Sequence, residues 1–241
     1  MPIVVENGIN IGAGVTIEGS PVPEPTLMLN LDAATYAGSG NWIDSVSSRS
    51  FTLYNSPSYS AVVGGGSFTF TPGSAQYAQC NSSMSSLTTW TAIAWHYYAG
   101  TNTGTAPCIL TEVFPSGSNQ INYSLGNNLG GANTNLMSGF FNGAWRSTPS
   151  GYALPSTGAW YQIVGTYDGT INKLYVNNTL VQSASYSGTP SASTAGIRLM
   201  RRWDDADYWG GKLAIVQVYD GAMNATQVNS NWNNNKARFG L

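Results

Sequence analysis

Hydrophobic and polar residues alternate with a period of two between positions 159 and 183, which is the spacing of β-strands. From 160 to 167, the even positions carry Trp, Gln, Val and Thr, and the odd positions carry Tyr, Ile, Gly and Tyr. A similar run passes through Leu174 and Val176, and another begins at Leu180. Asn177 and Asn178 separate these two runs, and asparagine tolerates the left-handed backbone angles of a two-residue hairpin turn. The segment therefore predicts a meander of three antiparallel strands.

Short runs of the same kind recur along the chain, each bounded by Gly, Pro, Ser or Asn. Together with the meander they predict about a dozen strands, which is typical of an all-β, antiparallel, two-sheet jelly-roll sandwich. The predicted strands span 27–32, 67–70, 75–79, 91–98, 109–114, 120–125, 136–141, 160–167, 173–176, 179–185, 197–202 and 212–219.

Positions 224–237 carry the one helical pattern that we identify. Asn224 and Gln227 have the spacing of a capping box, and Val228 and Trp232 form an apolar pair four residues apart. This pattern predicts a short C-terminal helix that closes one end of the sandwich.

Residues 1–26 differ from the rest, because β-branched apolar residues alternate there with glycines and are followed by three prolines between 21 and 25. Such a segment cannot form a core of its own. We interpret residues 1–26 as an anchoring and assembly arm with a proline-rich hinge, and residues 27–241 as the sandwich domain. Packing of the arm onto its own domain is the alternative. The apolar arm residues are Ile3, Val5, Ile9, Ile11, Val15 and Ile17.

Charged residues make up only 8% of the chain, and the net charge is −2. No basic surface is therefore expected to attract nucleic acid or anionic lipid. The chain has no apolar run long enough for a membrane span, and it does not start with a basic and apolar leader. We expect neither nucleic acid nor membrane as a partner. Cys80 and Cys108 are expected to be buried free thiols, with a disulfide as the alternative if neighbouring strands bring them together.

Several short motifs in the second half of the chain carry a resemblance to a known family. They are Trp160 followed by Gly-Thr-Tyr-Asp-Gly at 165–169, Leu-Tyr-Val-Asn-Asn at 174–178, Gly-Lys-Leu at 211–213 and Val-Gln-Val-Tyr at 216–219. As a set they resemble the laminin-G-like, concanavalin A-like lectin and glucanase domains, over about residue 27 to the C-terminus. The family usually has glycine where this chain has Asn178, and asparagine tolerates the same backbone angles. The resemblance supports the jelly-roll prediction.

The sequence does not supply the residues that hydrolysis on this fold needs. Glucanases of this fold carry a strand with a Glu-x-Asp-x-x-Glu or Glu-x-Asp-x-Glu pattern, because retaining hydrolysis requires two carboxyls about 5 Å apart. Glu112 is the only glutamate beyond the arm, and no acid lies two or four residues from it. His96, the sole histidine, lies between aromatic residues in a predicted strand and is interpreted as a packing residue. We expect no catalysis, although an acid pair from distant strands remains open.

The densest polar cluster, 201–209, combines three carboxylates, two arginines and three aromatic residues. Asp204, Asp205 and Asp207 are candidate calcium ligands, because Ca²⁺ requires several oxygen ligands at close range. In the alternative interpretation, Arg201 and Arg202 neutralise these aspartates in a loop that braces the sandwich.

Sugar binding on β-sandwiches combines an aromatic platform with planar side chains that hydrogen-bond hydroxyl groups. These residue types occur together near Trp145 and again in the 201–209 cluster. The predicted carbohydrate contacts are Trp145, Arg146, Trp203, Asp204 and Asp207.

The C-terminal stretch 208–241 and the glycine-punctuated arm resemble lectin-like domains in structural proteins of tailed bacteriophages. This resemblance implies a non-catalytic virion protein, a capsid decoration or a tail or fibre component, assembled in the host cytoplasm. Its arm would bind capsid or tail proteins, and the chain would form a homo-oligomer. The second hypothesis is a carbohydrate-binding module or host-surface adhesin that binds a host glycan, and the third is a glycoside hydrolase or lyase.

Overall fold

A computed structural model describes residues 24–84, 87–113, 121–127, 135–149, 151–193, 195–202 and 207–241. The six apolar residues of the predicted arm lie outside this part of the chain. Within it, the helix α1 spans Ala225–Asn235 and is followed by a 3₁₀ turn at Lys236–Phe239. The strands are β1 Thr26–Asp32, β2 Trp42–Ile43, β3 Ser50–Tyr54, β4 Ser58–Ser60, β5 Ser67–Phe70, β6 Tyr77–Cys80, β7 Trp90–Asn102, β8 Cys108–Val113, β9 Ile121–Asn127, β10 Asn135–Phe141, β11 Trp145–Ser147, β12 Tyr152–Ala153, β13 Ala159–Tyr167, β14 Ile171–Val176, β15 Thr179–Ser185, β16 Gly196–Leu199 and β17 Trp209–Asp220.

The described strands form two antiparallel sheets. The first sheet has the order β15-β14-β13-β7-β17-β5-β4, and β1 also pairs with β17. The second sheet has the order β11-β10-β9-β8-β16-β6-β3-β2, and β12 also pairs with β10. The two sheets form the sandwich that the sequence predicts, and the all-β jelly-roll prediction is confirmed.

The main core lies between the two sheets and is rich in aromatic residues. Trp90, for example, lies 6.0 Å from Tyr123 and 6.4 Å from Tyr167 between ring centroids. A second apolar cluster lies on the outer face of the first sheet, under α1. There the Trp95 ring stacks on Trp232 of the helix at 5.4 Å. Both faces of the first sheet's central strands are therefore buried, which explains their nearly continuous apolar sequences.

The predicted meander is present as β13, β14 and β15. Asn177 and Asn178 have φ angles of 47° and 64°, so the hairpin turn predicted from the two asparagines is confirmed. The preceding turn is fixed by Asp168, whose Oδ1 accepts hydrogen bonds from the backbone N–H groups of Thr170 and Ile171 at 2.9 and 2.7 Å. The predicted helix is also present, with the capping box of Asn224 and Gln227.

Several predicted boundaries were wrong for local reasons. The strand predicted to begin at Ala75 begins at Tyr77, because a 3₁₀ turn precedes it and Ala75 itself has a φ of 50°. The strand predicted to continue to Arg202 ends at Leu199, because Met200 has a φ of 64°. Five strands were not predicted, most of them only two or three residues long: β2, β3, β4, β11 and β12. The predicted strand ends at 114 and 120 lie outside the described residues.

Cys80 and Cys108 are both buried and form no disulfide, as the sequence analysis expected. No described helix is long and apolar enough to cross a membrane.

Candidate functional site

Glu112, the one glutamate considered for hydrolysis, points into the sandwich. It pairs with Ile197 of β16, a residue of the main core, and its side chain is fully buried. Burial raises its pKa to about 7, and no described carboxylate contributes to that shift. An acid that cannot contact a bound ligand and lacks a second carboxyl nearby does not form the pair that a retaining glycosidase needs.

His96 is also buried in the interior, where both of its ring nitrogens are used. Trp209 Nε1 donates to His96 Nε2 at 3.0 Å, so Nδ1 carries the proton and donates to the Lys212 carbonyl at 3.0 Å. Burial lowers the pKa of His96 to about 3. The neutral imidazole is thus a packing group, as its aromatic surroundings in the sequence indicated.

Asp207, in the polar cluster at 201–209, contacts a neighbouring loop and Arg202 of the same cluster. Its Oδ2 accepts from the Thr105 and Ala106 N–H groups at 3.0 and 2.8 Å, and it pairs with Arg202 Nη1 at 3.0 Å. The side chain is only 6% exposed. Three contacts to backbone and Arg202, all on Oδ2, are what the bracing alternative predicts for Arg202 and Asp207.

The other predicted residues of this cluster, Trp203, Asp204 and Asp205, lie outside the described residues. No group of three or more His, Cys, Asp or Glu side chains in the described ranges can hold a metal ion. Calcium binding by the three aspartates therefore stays a prediction.

Trp145 and Arg146, which the sequence paired in one site, point to opposite faces of the second sheet because successive strand residues alternate. Trp145 pairs with Phe141 and covers Gly139 on the outer face, where a Cβ would lie 2.7 Å from Trp145 Cζ2. Arg146 turns the other way, donates from Nε to Asn142 Oδ1 at 3.0 Å and lies 5.5 Å from the Tyr186 ring centroid.

A column of stacked side chains lies on the outer face of the second sheet. Tyr54 and Tyr77 are directly paired across β3 and β6, and their rings are parallel within 2° at 4.4 Å. The Arg201 guanidinium lies 4.1 Å from the Tyr77 ring centroid and 5.6 Å from that of Tyr208. We call these four residues the outer-face column. All four are partly exposed.

The strand period places the column outside, because the alternate residues Leu53 and Ala78 belong to the core side. Planar polar groups lie beside it. Arg198 Nε donates to Gln79 Oε1 at 3.1 Å, and Gln79 Nε2 donates to Asn81 Oδ1 at 2.6 Å. An aromatic surface with amide and guanidinium groups at its side can stack on a sugar ring and hydrogen-bond its hydroxyls.

The sequence analysis noted Arg201 and Tyr208 in the polar cluster but did not identify the column as a site. Tyr54 and Tyr77 come from strands that only the sheet register brings together. The period-two pattern around Tyr77 was the available signal, yet the partner strand β3 was not predicted. Trp145 lies five strand spacings from β6, about 24 Å away, so it belongs to a different part of the same face.

The family model of the concanavalin A-like lectin/glucanases superfamily, Laminin_G_3, matches residues 72–229. No curated protein sequence matches the chain significantly. Among solved structures, domain 4 of AbnA, a GH43 extracellular arabinanase from Geobacillus stearothermophilus in complex with arabinotriose, is similar with a TM-score of 0.68 and 17% identity. The match covers 86% of this chain and 98% of that domain.

Two toxin domains are also similar. The botulinum neurotoxin type G receptor-binding domain has a TM-score of 0.63 and 13% identity, over 86% of this chain and 51% of the toxin chain. The binding domain of botulinum neurotoxin DC in complex with SialylT has a TM-score of 0.64 and 9% identity, over 87% of this chain and 51% of the toxin chain. At these identities the likeness concerns the fold. The family model covers more than half of the chain, and its match agrees with the two-sheet architecture: the chain belongs to the concanavalin A-like lectin/glucanase superfamily.

Proposed function

We propose that this chain is a non-catalytic, lectin-like binding protein whose sandwich presents a glycan-binding face and whose arm attaches it to a virion. The observation that carries the binding role is the outer-face column of Tyr54, Tyr77, Arg201 and Tyr208 with its neighbouring amide and guanidinium groups. Two of the similar structures were solved with a saccharide or with SialylT, which supports a test with such ligands.

The stacked geometry favours glycan recognition over a packing role alone. Tyr77 is held between Tyr54 and Arg201, so both faces of its ring are occupied. A sugar ring would stack on the outer members of the column, which Tyr77 keeps in place before any ligand arrives, and binding then requires little loss of side-chain freedom. Burial raises the pKa of Tyr77. The Arg201 charge lowers it by less, so the pKa lies above its ordinary value. The phenol therefore stays neutral and can donate to a sugar hydroxyl across the physiological range.

A glycan array that includes arabino-oligosaccharides and sialylated glycans is the direct test, followed by calorimetry on each hit. We expect Tyr54→Ala to weaken binding about tenfold, which corresponds to about 1.4 kcal/mol. Trp203→Ala and Trp145→Ala test the predicted contacts elsewhere. Leu180→Ala, at an exposed position of the first sheet, serves as the control. Binding that survives Tyr54→Ala and Tyr77→Ala would reject the column, and no hit on the array would reject the glycan role.

The proposal of a non-catalytic role rests on the buried, unpaired position of Glu112. An assay for newly formed reducing ends on the glycans that bind should show no release. Release that is lost in a Glu112→Gln variant would overturn the proposal.

The virion role is supported by the arm, whose six spaced apolar residues, Ile3 to Ile17, require a binding partner. We expect deletion of residues 1–22 to abolish incorporation into particles while the sandwich stays folded. Light scattering of the full chain and of a chain that begins at Thr26 tests self-assembly separately. Unchanged incorporation of the deleted form would refute the anchoring role but leave glycan binding intact.

A further inference from the structure

Arg146 lies where the open edges of the two sheets meet. β11 stands at one end of the second sheet, and β15 stands at one end of the first. Arg146 pairs with Phe140, a residue of the main core, so its side chain points toward the space between the sheets. There its guanidinium lies 5.5 Å from the ring centroid of Tyr186, the residue that follows β15. Both side chains are partly exposed, so a ligand in solvent can reach them.

The guanidinium of Arg146 is held in one orientation by its neighbours. Nε donates to Asn142 Oδ1 at 3.0 Å, and Asn142 Nδ2 donates in turn to the Ser187 carbonyl at 3.2 Å. A side chain at Gly188 would interfere with this contact, because its Cβ would lie 2.9 Å from Asn142 Nδ2. The Gly188 carbonyl accepts from the buried Tyr167 hydroxyl at 2.6 Å, which fixes the segment beyond β15. The orientation of Arg146 is therefore set before any ligand binds, which lowers the entropic cost of binding.

The two terminal nitrogens of Arg146, Nη1 and Nη2, donate no hydrogen bond to any residue that the structure describes. Three other arginines, Arg49, Arg202 and Arg238, each pair with an aspartate, at 3.6, 3.0 and 2.8 Å. Arg146 pairs with a neutral amide instead, and none of the described carboxylates forms an ion pair with it. Its Nη1 and Nη2 groups therefore remain available as a planar fork of donors, which matches the two oxygens of a carboxylate.

We propose that Arg146 is a binding site for the carboxylate of an acidic sugar, a uronic or sialic acid unit, which accepts from Nη1 and Nη2 together. The segment beside it, Ser187 and Gly188, is exposed and carries no apolar side chain. It therefore lacks the apolar anchor that dominates most protein interfaces. A hydrated sugar that presents hydroxyl groups around one carboxylate fits this surface better than a protein partner.

This site rests on the glycan-binding role proposed above, but it lies in a different place from the outer-face column. Arg146 faces the inside of the sandwich, and β11 lies five strand spacings, about 24 Å, from β6. The two sites can therefore be tested separately, with variants of Tyr54 and of Arg146.

The experiment is calorimetry of the full chain with three pairs of saccharides, each an acid and its uncharged methyl ester: oligogalacturonate, a glucuronate disaccharide and sialyllactose. We expect the wild-type protein to bind at least one acid about tenfold more tightly than its ester. Arg146→Gln should remove this preference and leave ester binding unchanged. Arg146→Lys keeps the charge without the fork and should recover only a small part of the preference. Lys173→Gln removes a positive charge from β14, on the side away from the core residue Leu174, and as the control should behave like the wild type.

Equal affinity for acid and ester in all three pairs overturns the proposal, as does a preference that persists in Arg146→Gln. A preference lost equally in Lys173→Gln would reflect net charge alone and also overturns it. An aspartate-rich peptide that binds through Arg146 more tightly than every acidic sugar would show a protein partner instead. If neutral glycans bind in a Tyr54-dependent manner without an acid preference, only the Arg146 site fails. If no saccharide binds at all, the proposed glycan role fails with it.

A second variant keeps the proposal testable if Arg146→Gln does not fold, which thermal unfolding of each variant shows. Asn142→Asp keeps an acceptor for Arg146 Nε and gives the guanidinium a counter-ion within the protein. It should therefore reduce the acid preference as well and leave ester binding unchanged. A full acid preference in folded Asn142→Asp contradicts the proposal.

Discussion

Trp209 Nε1 donates to His96 Nε2 at 3.0 Å in the interior of the sandwich, and this bond fixes which imidazole nitrogen carries the proton. The Lys212 carbonyl, 3.0 Å from Nδ1, accepts the hydrogen bond from the ring's one N–H group. Both residues are fully buried, and their rings are nearly perpendicular at 78°. A protonated imidazole would have two donors where the site offers one acceptor, so protonation must break the Trp209 bond.

We therefore expect acid to destabilise the protein through His96. Its pKa is lowered from 6.5 to about 3 in the folded state, so the unfolded chain binds the proton first. The contribution of the neutral ring is complete above about pH 6.5 and is lost as pH falls toward about 3, with a total on the order of 5 kcal/mol. Urea unfolding at several pH values checks this. A His96→Gln variant should have a shallower acid slope, and an equal slope would refute the assignment.

Asp207 should behave as a structural residue. Asp207→Ala removes the acceptor for two backbone N–H groups and the partner of Arg202, and we expect a loss of about 3 kcal/mol in the free energy of unfolding. Gly104→Ala should also destabilise, because its Cβ would overlap Asp207 Oδ1 and its φ is +70°. Asp220→Ala, at an exposed position, is the matched control.

Urea unfolding measures the stability of these three variants, and calorimetry with any glycan found on the array measures binding. If Asp207→Ala kept full stability but lost glycan binding, Asp207 would be a ligand contact, as the sequence analysis predicted, rather than a brace.

Sequence predictability followed the range of the interactions. The Asn177-Asn178 turn and the Asn224–Gln227 capping box were predicted correctly, because each is specified within a few residues. The pairing of Tyr54 with Tyr77 was not predicted. It depends on the register between two strands, and the paired residues lie 23 positions apart in the sequence, so no local pattern specifies it. Trp145 and Arg146 were grouped by adjacency, although a strand sends neighbours to opposite faces.

The Asn231 side chain should contribute more to the free energy of unfolding than the side chains of its neighbours on α1. Its Oδ1 accepts from Gln162 Nε2 at 2.8 Å, and its Nδ2 donates to Gln217 Oε1 at 2.8 Å, so it links the helix to β13 and β17. Asn231→Ala leaves the amides of both glutamines without these partners, and we expect a loss of about 2 kcal/mol in urea unfolding. Asn233→Ala, exposed on the same helix, should change stability by less than about 0.5 kcal/mol. Equal effects would mean that the linkage contributes little.

Arg238 ties the C-terminal turn to the start of the sandwich. Its Nη1 lies 2.8 and 2.9 Å from the two carboxylate oxygens of Asp32, and Nη2 donates to the Gly66 carbonyl at 3.1 Å. Its Nε donates to the Gly64 carbonyl, so one guanidinium joins three parts of the chain. Because Phe239 follows and stacks on Trp95 at 4.4 Å, release of Arg238 should also loosen the apolar cluster under α1.

A double-mutant cycle with Arg238→Ala and Asp32→Ala measures this connection. Both side chains are partly exposed, 20% and 26%, so solvent weakens the ion pair, and we expect a coupling of about 1 kcal/mol between the two residues. Arg238→Ala alone should cost more than Asp32→Ala, because it also frees the carbonyls of Gly64 and Gly66 and uncovers Phe239. Lys236→Ala in the same turn serves as the control. Additive effects of the two substitutions would show that Arg238 acts through the glycine carbonyls and Phe239, and that its pairing with Asp32 adds nothing.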